Sequence, residues 1–353
     1  MPAFINGIGL ISPQRTAETP DFLTEIEGYF SDYLKCIEPS SYKPYIDPIL
    51  SRRMSRIIKM GITSAKMSLA DAGVSIPDAI ITGTGLGSVE DTEKILGTIH
   101  LDQPFLNPTP FIQSTYNTIS SQIAILLKCH QYNSTYVHRT FSFESSLQDA
   151  LLQIDEGTAS DILVGGIDEM TMNHLQITRR AGHWKPEPVN NLEMLAWDSP
   201  GALAGEGSAF FVVSSRKTDR SYARILEVRT IYKPADPGVL NKRLIDLLSA
   251  QSMTPADIDL VILGMNGDNR NDIRYFQFAE ENFPGIPQAY YKHLCGEYHT
   301  SSAFALWLAA NIIKKQLIPP IIRLNSTERK PIRNILVYNQ YYNADHSFIL
   351  VAG

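Results

Sequence analysis

An α/β fold built twice along one chain is what this sequence predicts, and three observations carry the prediction. Short apolar runs of strand length alternate with longer segments of helical period from Ala3 to Gly166. The alternation starts again at Tyr222. No stretch of disordered composition separates the two series, and 353 residues at 44% hydrophobic content suffice for a large shared core. The expected organisation is one compact body with an internal duplication. Its N-terminal half covers 1–220, with insertions at about 12–51 and 167–203, and its C-terminal half covers 221–353.

Taken in order, Ala3–Ile11 reads as a buried strand whose glycines permit close packing, followed by an irregular Pro- and Tyr-rich excursion to about Ser51. Arg52–Ala72 has apolar residues at helical spacing, with Gly73 as its stop. Ala79–Thr84 is a strand, and Phe111–Leu127 a helix with small polar residues along part of its surface. Asn133–His138, Glu144–Ile154 and the run ending at Gly165-Gly166 read as strand, helix, strand. A Pro- and Trp-containing connection leads to a further strand within Ala204–Ser215. The second series has strands at Ala223–Ile231, Leu260–Gly264 and Gln288–Tyr291, and helices at Gly238–Ser249, about Asn271–Phe283, and Thr300–Lys315. Two strands, Asn334–Tyr338 and His346–Val351, close the pattern. Phe304 and Trp307 on the last helix are expected in the core.

Charge and composition exclude several classes. A net charge of −6 without a basic stripe argues against nucleic acid. No run of 18 apolar residues predicts a membrane span, and the opening MPAFINGIGLISP lacks the features of a signal peptide. Cys36, Cys129 and Cys295 are odd in number and form no CxxC pair, so neither disulfides nor a zinc site is expected, and a reducing cytoplasm fits. The GTGLGS segment (83–88) lacks the full dinucleotide spacing and a Walker lysine, so it reads as a tight turn and no cofactor is expected. Cys129-His130 has no third ligand in view.

The chemistry is sought in Tyr132–Gly166, where a sharp strand-to-helix turn would set a side chain at a helix N-terminus, in a field that favours an anion. The turn offers Thr140 and Ser142 between Phe141 and Phe143, and no cysteine. Ser142 suits either a nucleophile or a helix cap with Glu144 in the first turn. His138-Arg139 suits either recognition of a phosphate or carboxylate, or a brace for Glu144 or Asp168. Cys295, near Lys292 and His299, lies before a Gly-Glu turn and not in an elbow.

Several pieces resemble one family. FINGIGLISP is similar to the opening strand of β-ketoacyl synthases of the thiolase fold, DILVGGIDEM to their glycine-pair strand, and AGEGSAFFVVSS to their GEG strand. GEYHTSSAFALWLAA, with Lys292 just before it, resembles the segment opening their alanine-rich helix. The resemblance implies duplicated βαβαβαββ halves in a layered α-β-α-β-α arrangement. It also implies an elbow cysteine that accepts an acyl chain, two histidines that decarboxylate a malonyl thioester, and a supporting lysine.

This chain departs from that set. Ungapped counting puts Thr140 at the cysteine position, and a shift of two puts Ser142 there. Asn266 occupies the first histidine's place. Lys292 and Gly296 match, but Glu297 follows the glycine and His299 comes two residues later. The oxyanion loop reads QYYNAD, so Tyr341, Tyr342 and Asn343 reshape the acyl pocket. The resemblance therefore points to a chain-length-factor-like subunit of polyketide, aryl polyene or pigment pathways. Acyl carrier protein would be a partner, and a homodimer, or a heterodimer with an active ketosynthase, would form through the strand before the elbow. Two alternatives stand beside it: an acyltransferase or condensing enzyme using Ser142 or Thr140 with Lys292 and His299, and an interaction module with no acyl tunnel.

Overall fold

The computed structural model describes residues 2–17, 22–101 and 107–353. In the N-terminal half, β1 (Ala3–Ile11) is followed by α1 (Arg56–Ala72), β2 (Ala79–Gly83), α2 (Val89–His100), α3 (Pro108–Gln113) and α4 (Thr118–Leu127). Then come β3 (Tyr132–Tyr136), α5 (Ser142–Glu156), β4 (Asp161–Asp168), α6 (Met172–Arg180) and β5 (Gly207–Ser214). The C-terminal half runs β6 (Ala223–Tyr232), α7 (Pro237–Ala250), β7 (Leu260–Leu263), α8 (Asn269–Asn282), β8 (Gln288–Tyr290), α9 (Ser302–Lys315), β9 (Asn334–Tyr341) and β10 (Asp345–Ala352).

Hydrogen bonding joins these strands in the order β3-β2-β4-β5-β1-β6-β10-β9-β7-β8. The two halves of that order are the same arrangement. In each, the second strand lies parallel between the third and fourth, the fifth runs antiparallel to the fourth, and the first lies antiparallel beside the fifth. The duplication is therefore topological, pairing by pairing. The halves meet at β1 and β6, over Ala3↔Ile225, Phe4↔Arg224 and Ile5↔Ala223.

Alternating side chains on these strands feed three apolar layers, because successive residues face opposite sides of a sheet. Ile162, Val164, Phe211, Val213, Ile335 and Val337 face a middle core shared with α5 and α9. Leu163, Ile167, Phe210 and Val212 face α1 and α4 on one outer side. Leu336, Tyr338, Phe348 and Leu350 face α7 and α8 on the other. The result is the expected α-β-α-β-α layering. In β1, a Cβ on Gly7 or Gly9 would lie 2.2 or 2.0 Å from a carbonyl of α1, which is why that strand carries glycines.

Several element boundaries differ from the expectation. Residues Ser114–Asn117 break the predicted Phe111–Leu127 helix into α3 and α4, and the predicted Arg52–Ala72 helix begins only at Arg56. The strand before the elbow ends at Tyr136, two residues early, and the helix after it begins at Ser142. The stretch after Gly166 read as plain connection holds α6, and α2 lies in a stretch to which no element was assigned. Among its described residues the 12–51 excursion forms a short helix (Pro48–Ser51) and two two-residue strands, one pairing with Val189–Asn190 of the 167–203 insertion and the other with Ala204–Gly205 just beyond it.

Candidate functional site

A three-residue turn, Arg139–Phe141, delivers the chain from β3 into α5. Arg139 adopts a φ of +50°, a left-handed backbone that side chains disfavour. Ser142 is fully buried, and its Oγ accepts the backbone N–H of His138 at 2.8 Å. That hydroxyl closes the turn. The Thr140 hydroxyl donates to the Asp345 carboxylate across the two halves. Phe141 stacks on the His138 ring, with centroids 5.3 Å apart. Phe143 points away into the middle core against Phe211, so it does not wall the turn. Glu144 is also fully buried; its Oε1 accepts from the Ser347 hydroxyl at 2.8 Å, and burial pushes its carboxyl up. Of the two readings of His138-Arg139, the brace is not formed among the described residues: Glu144 bonds Ser347, and Asp168 bonds Thr84, Gly85 and Thr300, while His138 and Arg139 stay exposed beside an open cleft of about 720 Å³.

The C-terminal half makes a second strand–turn–helix passage, from β8 through residues 291–301 into α9. Here the side chains are paired and buried. Lys292 donates from Nζ to Glu297 Oε2 at 2.6 Å, and Asn266 Nδ2 donates to the same oxygen at 2.7 Å. Ser301 donates to Oε1 at 3.2 Å. Lys292 is 0% and Glu297 2% exposed. The Asn266 and Gly267 backbone N–H groups donate to Asp272, whose carboxyl burial raises to about 6. Sequence reasoning had named Asn266, Lys292 and Glu297 separately; the fold brings them into one closed network.

His299 stands outside it. Its ring lies against Gly85, where a Cβ would come within 2.3 Å, and its Nδ1 has no hydrogen-bond partner among the described residues. Burial pulls its pKa down to about 4. The loop thus turns Glu297, and not His299, toward Lys292. The close approach of His299 also explains the glycine at position 85, and two N–H groups of the 83–88 segment are already used: Gly85 donates to Asp168 at 2.7 Å and Gly87 to the Thr84 hydroxyl at 3.0 Å.

The β9–β10 hairpin carries Tyr341, Tyr342 and Asn343. Asn343 Nδ2 donates to Asn271 Oδ1 at 2.9 Å, fixing the hairpin to α8. The rings form a column: His299 to Tyr341 at 5.7 Å, Tyr341 to Tyr342 at 4.5 Å, Tyr342 to His183 at 5.3 Å. Beneath it a cavity of about 20 Å³, space for one water, is lined by Asp168, Glu169, His174, Trp184, His299 and Tyr341, among others. Burial raises Asp168 to about 6 and Glu169 to about 8. His174 and Trp184 were missed because they lie in the segment read as connection. The signal available was Thr171 preceding MNHLQITRR: its side chain caps α6 through the His174 N–H at 3.2 Å.

The cysteines are elsewhere. Cys36, Cys129 and Cys295 are buried, and burial pushes the Cys36 and Cys295 thiols well up. Among the described residues no group of three His, Cys, Asp or Glu side chains is arranged to hold a metal ion, and no helix is long and apolar enough to cross a membrane.

The doubled topology and the paired elbows define a class. Residues 6–219 match the beta-ketoacyl synthase N-terminal domain family, and the chain belongs to that family. No curated protein matches in sequence. Among solved structures, the chain is similar to "the ishigamide ketosynthase/chain length factor" with a TM-score of 0.81 at 18% identity, covering 99% of this chain and 98% of that one. It is similar to a beta-ketoacyl synthase from Burkholderia phymatum STM815 with a TM-score of 0.77 at 16% identity, over 99% of both chains. The ketosynthase ApeO in complex with its chain length factor ApeC, from Xenorhabdus doucetiae, gives a TM-score of 0.76 at 14% identity, over 99% of this chain and 98% of that one. At these identities the likeness is one of fold.

Proposed function

We propose that this chain is a ketosynthase-like subunit of fatty acid or polyketide-type biosynthesis, aryl polyene or pigment pathways included, with little or no condensing activity of its own. It pairs with an active ketosynthase, as the chain length factor ApeC does by its description, and meets acyl carrier protein, which is described in complex with its ketosynthase in a further structural neighbour. The observation that carries this reading is the buried Asn266–Glu297–Lys292 network. Condensation builds negative charge on a malonyl-derived enolate, which needs donors or cations free to receive it. Here an acceptor-only carboxylate stands on the lysine and takes the amide as well. The edge position of β3 and the exposed Leu96, Ile99, Phe111, Ile112 and Ile125 on neighbouring helices support a partner surface beside the elbow.

The test is incubation of the purified chain with acyl- and malonyl-carrier protein, alone and with candidate partner synthases, followed by mass spectrometry of the products. Condensation by the chain alone overturns the proposal. The Thr140–Asp345 contact favours one second reading, a hydroxyl nucleophile with a carboxylate neighbour. An acyl adduct on the intact protein that disappears in Thr140→Val would support it, and no adduct with any thioester would count against it. The open cleft at the elbow weighs against a purely structural module.

A further inference from the structure

The cleft of about 720 Å³ beside the elbow differs from a plain hydrocarbon slot in its lining. Tyr116, the stacked His138 and Phe141 rings, and Tyr232 form aromatic walls, and Arg139 and Asp345 bring a cation and an anion to the same space. The two charges are not equally engaged. Asp345 already accepts the Thr140 hydroxyl. The Arg139 guanidinium has no hydrogen bond or ion pair among the described residues, not even with Asp345 across the cleft. A free guanidinium in a concave site is a planar fork of donors suited to a carboxylate.

The backbone adds a second observation. Arg139 sits at φ +50°, where glycine or asparagine would be accommodated with less strain, yet the position carries a long cationic side chain at the cleft wall. An apolar acyl terminus would gain nothing from that arrangement, since it would have to desolvate the guanidinium without pairing it. A terminus bearing a carboxylate would pair it, while its conjugated or aliphatic stem lay along the rings.

We propose that this cleft receives the far end of an acyl thioester that terminates in a carboxylate, with Arg139 as the residue that selects it. The inference rests on the ketosynthase-like reading for the ligand being an acyl thioester. It does not depend on whether the chain condenses anything.

The test uses the full chain and two probes: the decanoyl thioester of N-acetylcysteamine, and its counterpart of equal length ending in a carboxyl group. Titration calorimetry should show the carboxyl-ended probe bound about tenfold or more tightly, as expected for one charge-assisted pairing. Arg139→Gln should bring the two affinities together by weakening only the carboxyl-ended probe, and Arg139→Lys should keep part of the preference. Arg139 is exposed, so both variants should melt like the wild type; the lysine variant reports independently if the glutamine one does not. Equal affinities in the wild type, or a preference that survives in Arg139→Gln, would overturn the proposal. No carrier protein, malonyl unit or partner subunit is present, so this result is independent of the condensation assay.

Discussion

The chain makes a strand–turn–helix passage twice in equivalent places, β3 into α5 and β8 into α9, and treats the two in opposite ways. The first crosses in a few residues and presents to a cleft an exposed Arg139 whose guanidinium has no partner among the described residues. The second takes a longer path and buries a lysine and a glutamate against each other. Both helices then share the middle core. The shape alone therefore does not carry the chemistry. What differs is whether the polar groups in the turn are consumed by the protein itself.

The contrast is most directly broken by removing one charge from the closed passage. Lys292→Met should cost about 3–5 kcal/mol in urea denaturation, because it strands a buried carboxylate, and pairing it with Glu297→Leu should recover much of the loss. An effect near zero would mean that the pair is solvated and available. The second test concerns the carboxyl beneath the ring column. Glu169 stays protonated in the fold up to about 8, whereas in the unfolded chain it ionises near the ordinary 4.5. Its contribution to stability is thus full below pH 4.5 and is lost as pH rises through the window to about 8. By pH 8 the loss should be about 4 kcal/mol, and Glu169→Gln should flatten that part of the melting profile.

A third test joins the two halves. Gly85→Ala would place a methyl against the His299 ring and should cost about 1–3 kcal/mol, with relief in the double variant Gly85→Ala, His299→Ala. Additive losses would show that the ring moves aside freely. The smallest effect is expected at the open passage. Ser142→Ala leaves the His138 N–H without its acceptor and should cost about 1 kcal/mol in thermal or urea melts, with no change in thioester reactivity. A loss of acylation there would restore Ser142 as a nucleophile.

Much of the architecture was legible because it rests on periodicity. Strands such as Ile162–Val164 and Phe210–Val213 are apolar on both faces, as strands covered on both sides must be, and the restart at Tyr222 disclosed the duplication. Elements whose exposed faces carry apolar residues were harder to read: α2 exposes Leu96 and Ile99, and α6 exposes Ile177 while burying only Leu175, so neither has a clean apolar stripe. At the site, residue identities were readable but pairings were not. Glu297 and His299 are two residues apart, and only the bend at Gly296, with φ +74°, decides which meets Lys292. Likewise Thr140 and Asp345, 205 positions apart, become partners only through the packing of the halves.

The shared middle layer has a further consequence. α5 belongs to one repeat and α9 to the other, yet the inner faces of both half-sheets close on the two helices together. Each repeat is thus the other's shelter from water, much as two cupped hands keep one space dry. A chain cut between the repeats would leave each piece with a bare apolar face the size of a sheet, prone to clump before it could fold.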